Sequence, residues 1–364
     1  MKRYLSFPRS VLRARLRRTD QPRLLTYIVT FTCNARCVMC DSWQKPSHDL
    51  SIEEIERIFR QLPQLDAVRL SGGEPFVRKD LPQIVELVRT QLSPLVLHIT
   101  SNGFLTERIV RLCEERDRRL PLQLLISIDG VGDKHDRVRG IAHAYDRAIA
   151  TVRALAPRRR ELRLSLAVNQ TIVDRESIAH YHALKAELAP LGVENQVVIA
   201  YAESATYSLR ERHCVRPRYP GELRTFGEFS EAELHALLTA AERDVLDYPL
   251  PERLAKQFYL EGARRRLIDG VPSPNPSCVA LSSHMRLLPD GTVPTCQFNT
   301  APAGNLRERS FAEVWDSAAA RTQRDWVRAC PGCWAECEVL PNAIYTGELA
   351  KHALARRLPV WRGR

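Results

Sequence analysis

Leu24-Leu25-Thr26-Tyr27-Ile28-Val29-Thr30-Phe31-Thr32-Cys33-Asn34-Ala35-Arg36-Cys37-Val38-Met39-Cys40 is an apolar, β-branched run that ends in cysteines spaced Cys-x3-Cys-x2-Cys. Leu24–Thr30 reads as a buried strand. The loop after it carries three thiols, which can bind a metal or cluster without long-range folding. Three cysteines are one fewer than an iron–sulfur cube needs, so one iron would stay open to a substrate or cofactor. A closed zinc site would want a fourth ligand, and the nearest histidine is His48. Three buried free cysteines are the plain alternative, and this spacing argues against them.

Outward from this run, strands and helices alternate. Ser51-Ile52-Glu53-Glu54 carries a capping pattern. Strands are predicted over Ala67–Leu70, Leu95–Thr100, Leu122–Ile128, Leu162–Val168 and Gln196–Tyr201. Helices are predicted near Ile84–Val88, Glu107–Glu115, Tyr145–Leu155 and Ile178–Leu188. This alternation over residues 24–202 implies an α/β domain with a parallel sheet and right-handed crossovers. It falls short of a full barrel, so an open doubly wound sheet and an incomplete barrel both fit. Residues 203–270 read as an irregular linker followed by helices near Ser230–Leu246 and Glu252–Leu267. Val271-Pro272-Ser273-Pro274-Asn275-Pro276 is a break. Over residues 271–340, His284–Leu288 and Thr292–Thr295 flank Pro289-Asp290-Gly291, a hairpin signal, and cysteines crowd the end.

The composition of the 364 residues, 44% hydrophobic and 27% charged, excludes disorder of the whole chain. No apolar run approaches the ~20 residues of a membrane span, and no apolar core of a signal peptide follows the basic N-terminus. Ten cysteines are too few for a disulfide scaffold of this length, and a cytoplasmic, reduced protein is expected. The net charge of +11 sits in the ends. Residues 1–23 hold eight basic residues against one acid, and the tail at 341–364 has its five basic residues after position 350 with no acid among them. The near-neutral body argues against a nucleic-acid groove, and no specific nucleic acid is expected. The tails could touch anionic lipid at a membrane surface or an acidic partner, or be solvated ends. Leu5, Phe7, Val11, Leu12 and Leu16, interleaved with arginines, could form a short interfacial helix.

With Ser71-Gly72-Gly73-Glu74-Pro75 at the end of the second strand, the chain resembles the radical S-adenosylmethionine (radical SAM) enzymes. Their signatures are the three-cysteine loop and a Gly-Gly-Glu-Pro segment that meets the amino group of the cofactor's methionine. Glycines permit close backbone approach, and Glu74 could accept from an ammonium. Thr100-Ser101-Asn102-Gly103 and Ser127-Ile128-Asp129-Gly130, at the ends of strands three and four, resemble the family's cofactor-contacting segments. His135-Asp136-Arg137-Val138-Arg139-Gly140 resembles its His-Asp-x-x-Arg-Gly. By that match Arg139 would pair with the cofactor carboxylate. Asn169 and Thr171 would also face the cofactor, although a polar residue after a strand often merely caps a helix. Met39 stands where the family usually has an aromatic residue, so a thioether would meet the adenine.

Cys278, Gly291 and Cys296 resemble the opening of the family's SPASM extension. Gly304-Asn305-Leu306-Arg307-Glu308 and Phe311-Ala312-Glu313-Val314-Trp315 resemble its sequel, and Cys330-Pro331-Gly332-Cys333-Trp334-Ala335-Glu336-Cys337 adds three thiols. A full SPASM domain has seven cysteines and two auxiliary clusters. The five here look like a shortened, single-cluster twitch version: Cys278, Cys296, Cys330 and Cys333 as ligands, Cys337 as substitute or spare. A zinc ribbon is the alternative. Cys113 and Cys214 read as bystanders, and His98 and His284 as structural.

The resemblance implies a partial (β/α)6 TIM-like barrel followed by a small cysteine-rich α+β auxiliary-cluster domain. It implies a four-iron cluster on Cys33, Cys37 and Cys40, reduced by a partner such as flavodoxin or ferredoxin. That cluster would cleave S-adenosylmethionine to methionine and a 5′-deoxyadenosyl radical, which removes hydrogen from a substrate carbon. One auxiliary four-iron cluster would assist electron transfer. Modification of a peptide or protein side chain is the first expectation, with a separate recruiting partner. Dehydrogenation or epimerisation of a small sugar, alcohol or lipid-linked molecule is the alternative. A non-catalytic metal-cluster protein binding nucleic acid through its tails is the reading from another class, and it leaves Gly72–Pro75 and Arg139 unexplained.

Overall fold

The computed structural model describes residues 21–202, 204–207, 209 and 223–357. The predicted interfacial helix, the arginines before position 21, Cys214 and the last seven residues lie outside them. Among the described residues no helix is long and apolar enough to cross a membrane.

β1 (Leu24–Ile28), β2 (Ala67–Ser71), β3 (Val96–Ser101), β4 (Leu122–Ser127), β5 (Leu164–Ile172) and β6 (Glu194–Ile199) are the strands read from the sequence. The crossover helices are α1 (Ile52–Phe59), α2 (Leu81–Leu87), α3 (Thr106–Glu115), α4 (Asp133–Arg139), α5 (Ala144–Leu155) and α6 (Arg175–Leu188). The Ser51 side chain and Glu54 cap α1 reciprocally, as the sequence predicted. α4 was not foreseen, because its charged sequence has no apolar period. β7 (His284–Leu287) adds a seventh parallel strand, giving the order β6-β5-β4-β3-β2-β1-β7. The architecture is an α/β partial barrel followed by a C-terminal domain.

The predicted hairpin turn forms, but its two strands extend into different sheets. The Pro289-Asp290-Gly291 turn is closed by two main-chain bonds, Gly291 N–H to Leu288 C=O (3.1 Å) and Leu288 N–H to Thr292 C=O (2.8 Å), and beyond it each flank takes a different strand partner. β7 runs parallel to β1, whereas β8 (Thr292–Pro294) pairs antiparallel with β9 (Pro302–Asn305). The turn chemistry fixes a reversal and not a partner, and the free edge of β1 captures β7. α7 (Glu231–Asp244) and α8 (Leu250–Leu267) pack with α11 (Glu336–Thr346) in a second apolar core. α9 (Phe311–Trp315) and α10 (Ala318–Ala329) follow β9, and α12 (Glu348–Arg357) packs beside α8.

Side-chain alternation gives the barrel two faces. Val68, Leu70, Leu97, Leu124 and Val168 are buried among the helices. Their neighbours Arg69, His98, Gln123, Asn169 and Gln196 point the other way and are half-buried. Branched apolar side chains usually fill a closed barrel; this lumen is polar.

Candidate active site

The three-cysteine loop is held by main chain. Arg36 N–H donates to Arg139 C=O (2.8 Å) and Val38 N–H to Val138 C=O (3.0 Å), fastening the loop to the end of α4. Gly140 makes that approach feasible: its φ is +64°, and a Cβ there would lie 2.4 Å from the Arg36 carbonyl oxygen. Cys33, Cys37 and Cys40 are each half-buried. Burial pushes the Cys33 thiol up to about 12, so metal binding there would displace a proton. Arg139 Nη1 stands 3.6 Å from Cys37 Sγ.

Gly72-Gly73 turns against the same loop. A Cβ on Gly73 would lie 2.3 Å from Thr32 C=O, so only glycine fits. The Glu74 carboxylate is 1% exposed and accepts from Phe76 N–H (3.0 Å), Ser101 Oγ (2.9 Å) and Asn102 N–H (2.6 Å). It knots the ends of β2 and β3 together. Burial pushes it up to about 7 against those bonds. Asn102 Nδ2 donates to Asn34 Oδ1 inside the cysteine loop (2.7 Å). Arg139, expected to meet a cofactor carboxylate, pairs with buried Asp129 at 2.7 Å. Asp129 Oδ1 in turn accepts from Thr171 N–H. Ser127 and Asn169 are register partners on β4 and β5, Met39 packs on Val138, Val173 and Ala200, and Pro75 opens a short 3-10 turn.

The five C-terminal cysteines come from separated places and share a small core with Leu223, Phe298 and Val327, apart from Cys330. Cys333 lies within electrostatic reach of Cys278 and Cys296, and Cys278 of Cys330. Cys337 instead faces Arg286 (Nη2 to Sγ, 3.4 Å) and donates to Gln297 Oε1 (2.8 Å). Beneath it Glu338 accepts from Arg286 Nε at 2.9 Å and contacts His284 Nδ1 at 3.1 Å, and His284 reaches Thr26 on β1 at 2.9 Å. Burial opposes the charge, but Arg286 and His284 outweigh it and hold the Glu338 carboxyl well below the usual carboxylate range. Among the described residues no three His, Cys, Asp or Glu side chains enclose one single-ion site.

The two cysteine regions meet across residues 204–207. Asp41 N–H donates to Tyr207 C=O (2.8 Å), Lys45 Nζ to Thr206 C=O (2.7 Å), and Thr206 N–H to Gln297 C=O (3.0 Å), beside Cys296. The Tyr207 phenol, hydrogen-bonded to Ser71, lies within electrostatic reach of both Cys40 and Cys337. Sequence reasoning missed Arg69, Tyr207, Arg286, Gln297 and Glu338. They are single polar residues with no motif, and only the β1–β7 register and the 204–207 crossing bring them together.

Residues 27–181 match the family model of the radical SAM superfamily, and residues 278–337 that of SPASM, an iron-sulfur cluster-binding domain. The AdoMet-dependent heme synthase of Methanosarcina barkeri is 26% identical over 341 residues, covering 86% of this chain and 92% of that protein. The PqqA peptide cyclase of Granulibacter bethesdensis is 24% identical over 351 residues, 91% of this chain and 86% of that protein. Streptococcus suis SuiB bound to S-adenosylmethionine shares the fold, with a TM-score of 0.58 and 17% identity over 84% of this chain and 68% of SuiB.

Proposed function

This chain belongs to the radical SAM superfamily and carries a C-terminal SPASM domain, and from that premise we propose that it takes hydrogen from a carbon of a substrate admitted to the barrel lumen. When bound, a four-iron cluster and S-adenosylmethionine supply one-electron cleavage of the cofactor and the hydrogen abstraction. The observation that carries the reading is the 204–207 crossing, bonded on one side to the three-cysteine loop and on the other to the Cys296 turn. That segment ties the two thiol-rich regions together.

The chain's residues fit these groups. Cys33, Cys37 and Cys40 are three reduced, half-buried thiols on one loop, which suits a cluster with one open iron. Arg139 sets a cation beside Cys37, an outer-shell contact that tunes a bound cluster. Glu74 rigidifies the strand ends on which the cofactor would lie. Cys278, Cys296, Cys330 and Cys333 form the auxiliary ligand set, and Cys337 is the fifth thiol, bonded to Arg286 and Gln297.

A peptide or protein side chain is the first substrate reading, supported by the near full-length likeness to a peptide cyclase. A small molecule is the second, supported by the equally extensive likeness to a heme synthase. A flavodoxin or ferredoxin is the expected electron donor. Anaerobic reconstitution tests the enzyme reading. It should give brown protein with about eight irons per chain and reductant-dependent release of 5′-deoxyadenosine. Colourless protein, or none of that product from well-reduced protein, would contradict it.

A further inference from the structure

We propose that Arg69 is the floor of a subsite that receives an oxyanion of the substrate, a carboxylate or a phosphate. This deepens the enzyme reading above and rests on it. Arg69 lies on the lumen face of β2, with Thr26 of β1 and His98 of β3 as its register neighbours. Gln123 of β4 continues the row. Arg69 and His98 are half-buried, so the row borders open space inside the barrel.

A guanidinium offers five N–H donors in a planar fork. Arg69 places one on Cys337 C=O at 2.9 Å. Other cations near the two cysteine regions have partners of their own: Arg286 pairs with Glu338, Lys256 with Glu336 and Arg139 with Asp129, Lys45 donates to Thr206 C=O, and Arg266 lies over the Trp334 ring. Among the described residues no acid forms an ion pair with Arg69. A partly desolvated charge without an acid is unfavourable until an anion meets it, and a fork with free donors suits a bidentate oxyanion.

Neighbouring chemistry agrees. Burial keeps His98 neutral, lowered to about 3, so it contributes hydrogen bonding and no second charge. Arg69 precedes Ser71 by two residues, about 6.6 Å deeper along the strand. An oxyanion held there would leave the rest of the substrate between the lumen floor and the three-cysteine loop. Balancing the charge of the cysteines is a role better met by Arg286, which hydrogen-bonds Cys337 Sγ, than by Arg69, which lies within electrostatic reach of that thiol but bonds only to the main-chain oxygen.

The test uses full-length holoenzyme with S-adenosylmethionine bound. Inorganic pyrophosphate and succinate are titrated calorimetrically at low ionic strength, one probe for each oxyanion. At least one should bind with one-to-one stoichiometry, and the one that binds more tightly names the group. Arg69→Gln should weaken that binding at least tenfold, the scale of a lost charge-assisted bond. Arg69→Lys should fall between, with iron content and cofactor affinity unchanged in both. Wild-type protein that binds neither probe, or Arg69→Gln that binds as wild type does, would overturn the subsite. The titration needs no turnover, so a subsite failure is distinct from a failure to release 5′-deoxyadenosine.

Discussion

The two cysteine regions are built by opposite means. Cys33, Cys37 and Cys40 lie on one short loop between β1 and α1, fastened by main-chain bonds to α4. The other five are gathered from the β7–β8 region and the approach to α11. What brings them to the barrel is a buried chain of side chains, from Glu338 through His284 to Thr26. The first region depends on local chain geometry, and the second on a polar anchor between distant segments.

The sharpest way to break this comparison is to remove one thiol from each region. Cys33→Ala should lower reductive 5′-deoxyadenosine formation at least a hundredfold and leave the C-terminal iron in place. Cys333→Ala should do the reverse, losing the auxiliary iron and most of the thermal stability of the C-terminal region. Iron content and electron paramagnetic resonance of the two variants check both statements.

Next in size is the anchor. Glu338→Gln removes the charge that compensates buried Arg286 and should destabilise the protein by about 3–5 kcal/mol. Chemical unfolding measures the effect, and a loss under 1 kcal/mol would show that β7 docks without the ion pair.

The corresponding knot in the barrel, Glu74, should give a smaller, pH-dependent effect of about 1–3 kcal/mol. Its carboxyl is raised to about 7 in the fold from an ordinary 4.5. The protonated form is therefore the one the fold favours. Its stabilisation is complete below pH 4.5 and is lost as pH rises through about 7. Wild type should exceed Glu74→Gln in stability by more at pH 5.5 than at pH 8. A constant gap across that range would contradict the assignment.

The smallest effects belong to the helix caps. Ser51→Ala at α1 and Ser310→Ala at α9 each remove one capping box and should lower stability by about 1 kcal/mol. Neither should change iron content.

The same contrast explains what could be read in the chain. β1 was legible as a continuous apolar run, and β2 to β6 as short β-branched and apolar stretches recurring between helical patterns. The cysteine loop was legible because its spacing is local. β7 was placed in a hairpin because Pro289-Asp290-Gly291 reports a turn and says nothing of the edge of β1. α4 was missed because Asp133-Lys134-His135-Asp136-Arg137 has no apolar stripe; its end is set by Gly140 against Arg36. Glu74 and Arg139 were visible as motif residues, yet their partners, Ser101 with Asn102 and Asp129, became clear only from the packing. Arg69 carries no motif, and its meaning comes wholly from its place in the lumen.

The central claim is that the three-cysteine loop is the reductive site and the C-terminal cysteines serve it. The most direct measurement is single-turnover release of 5′-deoxyadenosine from reduced wild type, Cys33→Ala and Cys278→Ala side by side. The account predicts release from wild type, continued release from Cys278→Ala, and none from Cys33→Ala. Release from Cys33→Ala equal to wild type would contradict it.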